Sequence, residues 1–307
     1  MGAQKSIHAG KAKIDVNVDF THKLCASLRL PSLRNSGSPL SLLIGSLCIK
    51  HPNLFGGSEK LDVSWDKGLY DSNILVAYRR PRPQWVAQQC FVMQNVRLLN
   101  DDGRSITRDL DGFPVTCSGN AHDSMVVLKQ ESQYAKANDR SFSRFTMQIE
   151  QGIPVLSKWL IFNRFKCVAS KGIKVGPAFL LTSLTGGSIV GDMAPYQAFA
   201  IGGLGSVRGY GEGAVGSGRS CLVANTELTF PLSKMLEGSL FLDCGTDLGS
   251  GRLVPGNPAL RQGKPGSGVG LGYGLRFKSP IGHFQVDYAI NAFHQKTLYF
   301  GITNLAS

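Results

Sequence analysis

Four carboxylates in the last third of the chain, Glu212, Glu227, Asp243 and Asp287, are of the type that general acid–base chemistry uses. No serine, cysteine or histidine joins them at the spacing of a nucleophile and its base, so no catalytic residue is assigned and the chain is not read as an enzyme. The 7 cysteines, at Cys25, Cys48, Cys90, Cys117, Cys167, Cys221 and Cys244, stand singly without a CxxC pair, and the 6 histidines form no HExxH. No metal ligand set and no cofactor are expected from that scatter. Two glycine patterns point towards phosphate: Gly211, Gly213 and Gly216 fit GxGxxG, and Gly213–Ser220 approaches GxxxxGKS with Arg219 in the lysine position. Both need a strand before and a helix after, so that helix N-terminal amides face the phosphates. The residues after Ser220 alternate like a strand, so the segment reads as a flexible glycine loop that binds no nucleotide.

Charge and hydropathy bound the partners. The formal net charge of +12 is diffuse, with a short cluster only at Arg79, Arg80 and Arg82, unlike the contiguous basic stripe that binds nucleic acid. A basic pore lining or membrane rim accounts for it equally well. The longest apolar runs, Pro39–Leu47 and Pro177–Leu184, fall short of the roughly 20 residues of a membrane helix. Met1–Lys23 lacks the apolar core of a secretory signal. Met1–Ser6 fits the pattern for acylation of Gly2, although one acyl chain adds little to a protein that already spans a membrane. The 37 glycines, spread in patches, favour turns and strands over long helices.

The elements that must position any site are strands. Ile14, Val16, Val18 and Phe20 alternate with Asp15, Asn17 and Asp19 in a run that keeps period two from Lys13 to Leu28. The same period recurs at Leu61, Val63 and Trp65, at Phe145, Met147 and Ile149, and at Leu222 to Phe230. Near the end, Val269, Leu271, Tyr273, Leu275 and Phe277 alternate with the glycine face Gly268, Gly270, Gly272 and Gly274. Strands of about 10 residues with one apolar and one polar face suit a wall between lipid and water. The pattern predicts an all-β, transmembrane antiparallel β-barrel of about fourteen strands, with about sixteen as the alternative. It also predicts one barrel domain over 13–307 after a short tail, 1–12, and a long connection over 186–219. Loops of that length inside a compact domain are usually functional.

Within that connection, Gly202–Tyr210 reads GGLGSVRGY, which resembles the conserved loop of the BamA and TamA superfamily of outer-membrane barrels. HPNLFGGSEKLDVSWDKGL at 51–69, NTELTFPL at 225–232, FLDCGTDLG at 241–249 and LRFKSPIGHFQVDYA at 275–289 resemble its plant branches, above all the eighty-kilodalton plastid outer-envelope protein. The resemblance implies that the loop folds into the lumen, with Gly203, Gly205, Val207, Arg208, Gly209 and Tyr210 as its motif. It implies also that Arg208 is anchored by Glu227 and Asp243. Face parity agrees: Glu227 lies opposite Leu222 and Leu228 on its strand, and Asp243 opposite Leu240 and Leu242. The glycine row, 268–274, would leave room for the inserted loop.

The resemblance further implies a lateral seam between the first and last strands, here Val18 and Phe20 against Leu298 and Phe300. It places the chain in the plastid outer membrane, among membrane lipid, client polypeptides of the outer envelope, and cytosolic extraction or import machinery. The expected function is a pore that translocates outer-envelope proteins or extracts them for degradation. Insertion of barrel proteins and passive solute conduction are the alternatives. Two departures from the family pattern are expected: no POTRA modules before the first strand, and Gln94–Val96 joining what are separate strands in close relatives.

Overall fold

The computed structural model describes residues 2–6, 13–17, 25–29, 45–67, 72–82, 84–98, 105–109, 112–155, 159–254, 266–279 and 282–303. Two short strands, β1 (Gly2–Ser6) and β2 (Lys13–Asn17), pair only with each other among the described residues. The main sheet begins with β3 (Cys25–Arg29), β4 (Gly45–His51), β5 (Lys60–Lys67), β6 (Ser72–Pro81) and β7 (Trp85–Val96). It continues through β8 (Asp123–Asn138), β9 (Ser141–Ile153), β10 (Phe162–Val175) and β11 (Ala178–Gly191). A hairpin of β12 (Phe199–Ile201) and β13 (Gly216–Gly218) interrupts the order. The sheet resumes with β14 (Ser220–Pro231), β15 (Leu236–Thr246), β16 (Ser267–Ser279), β17 (Gly282–Asn291) and β18 (Lys296–Thr303). Among the described residues this is a 14-stranded antiparallel sheet in sequential order, with β3 and β18 at its edges.

Two expectations need correction. The run Lys13–Leu28 is divided between two sheets: Lys13–Asn17 pairs with Gly2–Ser6, Cys25–Arg29 joins β4 in the main sheet, and 18–24 lie outside the described residues. The tail before residue 13 therefore contains a strand. The long connection also starts later than Gly186, because Gly186 and Gly187 stand in the ladder opposite Cys167 and Lys166, and β11 runs on to Gly191. Gln94–Val96 lie within β7.

Alternation gives the sheet two unlike faces. On one, Leu240, Leu242, Leu271, Tyr273 and Leu275 are 48–57% exposed. Leaving such side chains in water forfeits about 1.5–3 kcal/mol each, so this face is built for lipid. The opposite face is polar, with Lys129 and Arg164 both paired to Glu150, at 3.4 and 3.2 Å. Along one rim the strands are joined by tight turns, such as Asp139–Arg140 and Gly176–Pro177, and along the other by the longer connections 97–122, 192–219 and 247–266. The connection 192–219 turns back over the polar face. There Ile201, Val207 and Val215 form an apolar core with Ile189 of β11 and Cys221 and Val223 of β14.

Candidate functional site: the Arg208 loop and its carboxylate cradle

The loop is fastened where it leaves the wall. Asp192 accepts a hydrogen bond from Ile161 N–H at 3.0 Å, and the Tyr196 hydroxyl donates to Asp123 at 3.0 Å. Asp123 is fully buried and also accepts the amides of Cys117 and Ser118, so one carboxylate ties two rim connections to β8. Burial, followed by the charge of Asp123, pushes the Tyr196 phenol above its ordinary range and keeps it a donor. After β12 the chain turns at Gly202, φ +129°, where a Cβ would strike the carbonyl of Gly211. Ser206 closes this turn by accepting from Gly202 N–H at 2.7 Å and donating to Gly202 O at 2.9 Å.

The turn delivers Arg208 into a cradle of three acids. Its Nε and Nη2 donate to the two oxygens of Asp243 at 2.7 and 3.1 Å, and its own amide donates to Asp243 at 3.2 Å. Nη1 donates to Glu227 at 3.0 Å and to Asp287 at 3.1 Å. The guanidinium lies 3.5 Å from the centroid of the Phe241 ring. Arg276 pairs with the second oxygen of Glu227, and Asn225 donates to Asp243 at 2.9 Å. Burial by itself would lower the pKa of Arg208; the hydrogen bonds and charge of Asp243, then those of Glu227, outweigh it and raise it. The forked donor satisfies the geometry that a buried ion pair needs to recover its desolvation cost.

The rest of the motif has separate tasks. Gly209, φ +95°, approaches Asn291 so closely that a Cβ would lie 3.1 Å from its amide nitrogen. Asn291 donates to Gly209 O at 3.0 Å, and Tyr299 of β18 accepts from Gly209 N–H at 2.9 Å. Val207 is fully buried and Tyr210 nearly so, whereas Gly205 lies in open space and Gly203 forms part of the turn. The glycine row divides. A Cβ at Gly268 would meet Val215 and Tyr210, and one at Gly270 would overlap Arg208 O, so these two accommodate the loop. A Cβ at Gly272 would instead overlap the carbonyl of Tyr288 and meet Phe241, and one at Gly274 would overlap Asp287, so these accommodate the wall's own atoms.

Glu227, Asp243 and Arg208 are thus brought together. Asp287, Phe241, Arg276, Asn291 and Tyr299 are additional members of the site. Asp287 could have been found by parity, since it shares a face with Gln285 and lies opposite Gly274 in the β16–β17 register. Leu298 and Phe300 are exposed on the apolar face of β18. Val18 and Phe20 lie outside the described residues, and no ladder joins β3 to β18 among the described residues.

The profile of the Omp85 superfamily domain matches residues 53–304. The chain belongs to the Omp85 superfamily. It is 71% identical to outer envelope protein 39 of Arabidopsis thaliana chloroplasts over 360 aligned positions, covering 100% of this chain and 99% of that one. Those positions outnumber the 307 residues here, so the relative carries segments without a counterpart in this Omp85 protein. Outer envelope protein 80 of A. thaliana chloroplasts is 40% identical over 87% of this chain, which spans only 43% of that longer relative. The crystal structure of BamA from Haemophilus ducreyi lacking POTRA domains 1-3 shares the fold, with a TM-score of 0.50 over 84% of this chain and 66% of that one, at 14% identity. These relatives and the apolar outer face identify a chloroplast outer-envelope protein with a transmembrane antiparallel β-barrel fold.

Proposed function

We propose that this Omp85 protein is a pore for polypeptides of the chloroplast outer envelope, plugged by the Arg208 loop, and that it translocates outer-envelope proteins or extracts them for degradation. The observation that carries the reading is how the plug is attached. Among the described residues β12 and β13 pair only with each other, and no strand ladder joins them to the wall. Arg208 is instead held by the side chains of β14, β15 and β17. A plug fastened chiefly by side chains can leave the lumen without breaking a single wall ladder, and the polar inner face is suited to a passing chain. The reading gives the protein no enzymatic step, no cofactor and no nucleotide. Its partners are membrane lipid, client polypeptides, and the cytosolic extraction or import machinery that would receive or deliver them.

Insertion of barrel proteins is the second reading. It draws on the two sheet edges, β3 and β18, whose free backbone groups would pair with an incoming strand. A photo-crosslinker at Phe300, 73% exposed on β18, in intact chloroplast envelopes separates the readings. Ubiquitinated resident envelope proteins in the adduct support extraction, and newly made barrel precursors support insertion. Adducts with lipid and neighbouring barrels alone would leave passive solute conduction in place of either.

A further inference from the structure

The apolar outer face carries two neighbouring lysines that the proposed pore does not use, Lys136 of β8 and Lys171 of β10, which flank Ser143 of β9 from its two sides. Lys171 of β10 points outwards, between Ala169 and Ile173 of the same face, and is exposed. It makes no hydrogen bond or ion pair among the described residues. Its register partners on both sides are hydroxyl residues, Ser143 of β9 and Thr182 of β11. Beside this polar row lies a groove of about 450 Å³. Ala169 forms its floor, with Tyr134 and Phe145 on one side and Leu184 on the other.

An ammonium on a lipid-facing wall is costly unless it is paired or reaches the interface, and an intramembrane charge is by default a mark of function. The small side chain of Ala169, where its neighbours are large, leaves a trough into which a hydrocarbon chain fits. Lys171 and the two hydroxyls cross the trough between Ala169 and the pair Ile173 and Leu180, and offer one positive charge and two donors. We propose that this groove binds one anionic membrane lipid, its acyl chain lying over Ala169 and its phosphate paired with Lys171, Ser143 and Thr182. The long stem of the lysine lets the ammonium reach towards the headgroup level while its methylenes stay in the groove.

Native mass spectrometry of the full chain, released from nanodiscs of equal phosphatidylcholine and phosphatidylglycerol, tests this. The wild type is expected to retain one phosphatidylglycerol with about a five-fold preference over phosphatidylcholine. Lys171→Gln should bring the two lipids to parity, whereas Lys174→Gln, the same charge loss on the opposite face of the same strand, should leave the preference intact. Ala169→Phe, or Ala169→Leu if the larger residue impairs folding, should remove the retained lipid although Lys171 remains. The preference surviving in Lys171→Gln, lipid retained unchanged in both groove-filling variants, or a second copy of the chain retained in place of lipid would each overturn the assignment.

Discussion

Tyr299 clamps the peptide that follows Arg208: its hydroxyl accepts from Gly209 N–H at 2.9 Å and donates to Tyr210 O at 2.7 Å. Because Tyr299 stands on β18, an edge of the sheet, these bonds tie the loop tip to that edge, and Thr297 of β18 adds a donor to Gly209 O at 3.5 Å. Tyr299→Phe removes both tyrosine bonds and leaves buried main-chain groups unpaired, a loss of about 1–3 kcal/mol for each orphaned group. Hydrogen exchange across 202–215 should accelerate, with the strand ladders β14–β16 unchanged.

The acids of the cradle are not equivalent. Asp243 takes both ends of the guanidinium fork, the Arg208 amide and Asn225, whereas Asp287 takes one Arg208 contact and Gln285. Asp243→Asn should therefore lower stability by about 3–5 kcal/mol, the usual cost of breaking a buried pair, and Asp287→Asn by less than half of that. The temperature at which the folded band is lost on semi-native gels reads the difference.

Arg208→Lys keeps the charge but not the fork, and a single ammonium cannot hold Asp243 by two parallel bonds while reaching Glu227 and Asp287. In planar bilayers, Arg208→Ala should open the channel to a higher mean conductance than the wild type, with Arg208→Lys between them. Equal conductance in all three would mean that the arginine does not hold the plug.

At Gly270 a Cβ would overlap the carbonyl of Arg208, while at Gly205 it would meet nothing within 4 Å. Gly270→Ala should displace the loop at a cost of about 1–3 kcal/mol, and Gly205→Ala should be neutral. Protease sensitivity of the 202–215 segment in the refolded protein checks both.

The wall was legible because each of its faces meets a different solvent, and period two survives in Leu222 to Phe230 and Val269 to Phe277. Arg208, Glu227 and Asp243 could be connected because the GGLGSVRGY loop resembles that of the BamA and TamA superfamily, and the inward parity of the two acids agreed with it. Asp287 was within reach of the same parity, whereas Tyr299 was harder: its place depends on the β17–β18 register, which no local pattern records. The run Lys13–Leu28 misled because two short strands in different sheets can keep the same phase of alternation. Gly186 and Gly187 read as loop by composition, yet Gly187 sits in the ladder, where its missing side chain admits the Phe199 ring, 2.6 Å from where a Cβ would be.

The central claim, that a polypeptide occupies the lumen beside the loop, is tested most directly by a photo-crosslinker at Ser183, on the inner face beside Ser206 and Asn225, with Leu184 on the outer face as control. In intact envelopes the Ser183 probe should capture envelope polypeptides, more of them when Arg208 is Ala, while the Leu184 probe captures lipid. Only intramolecular adducts to the loop at Ser183, unchanged by Arg208→Ala, would contradict a polypeptide pore.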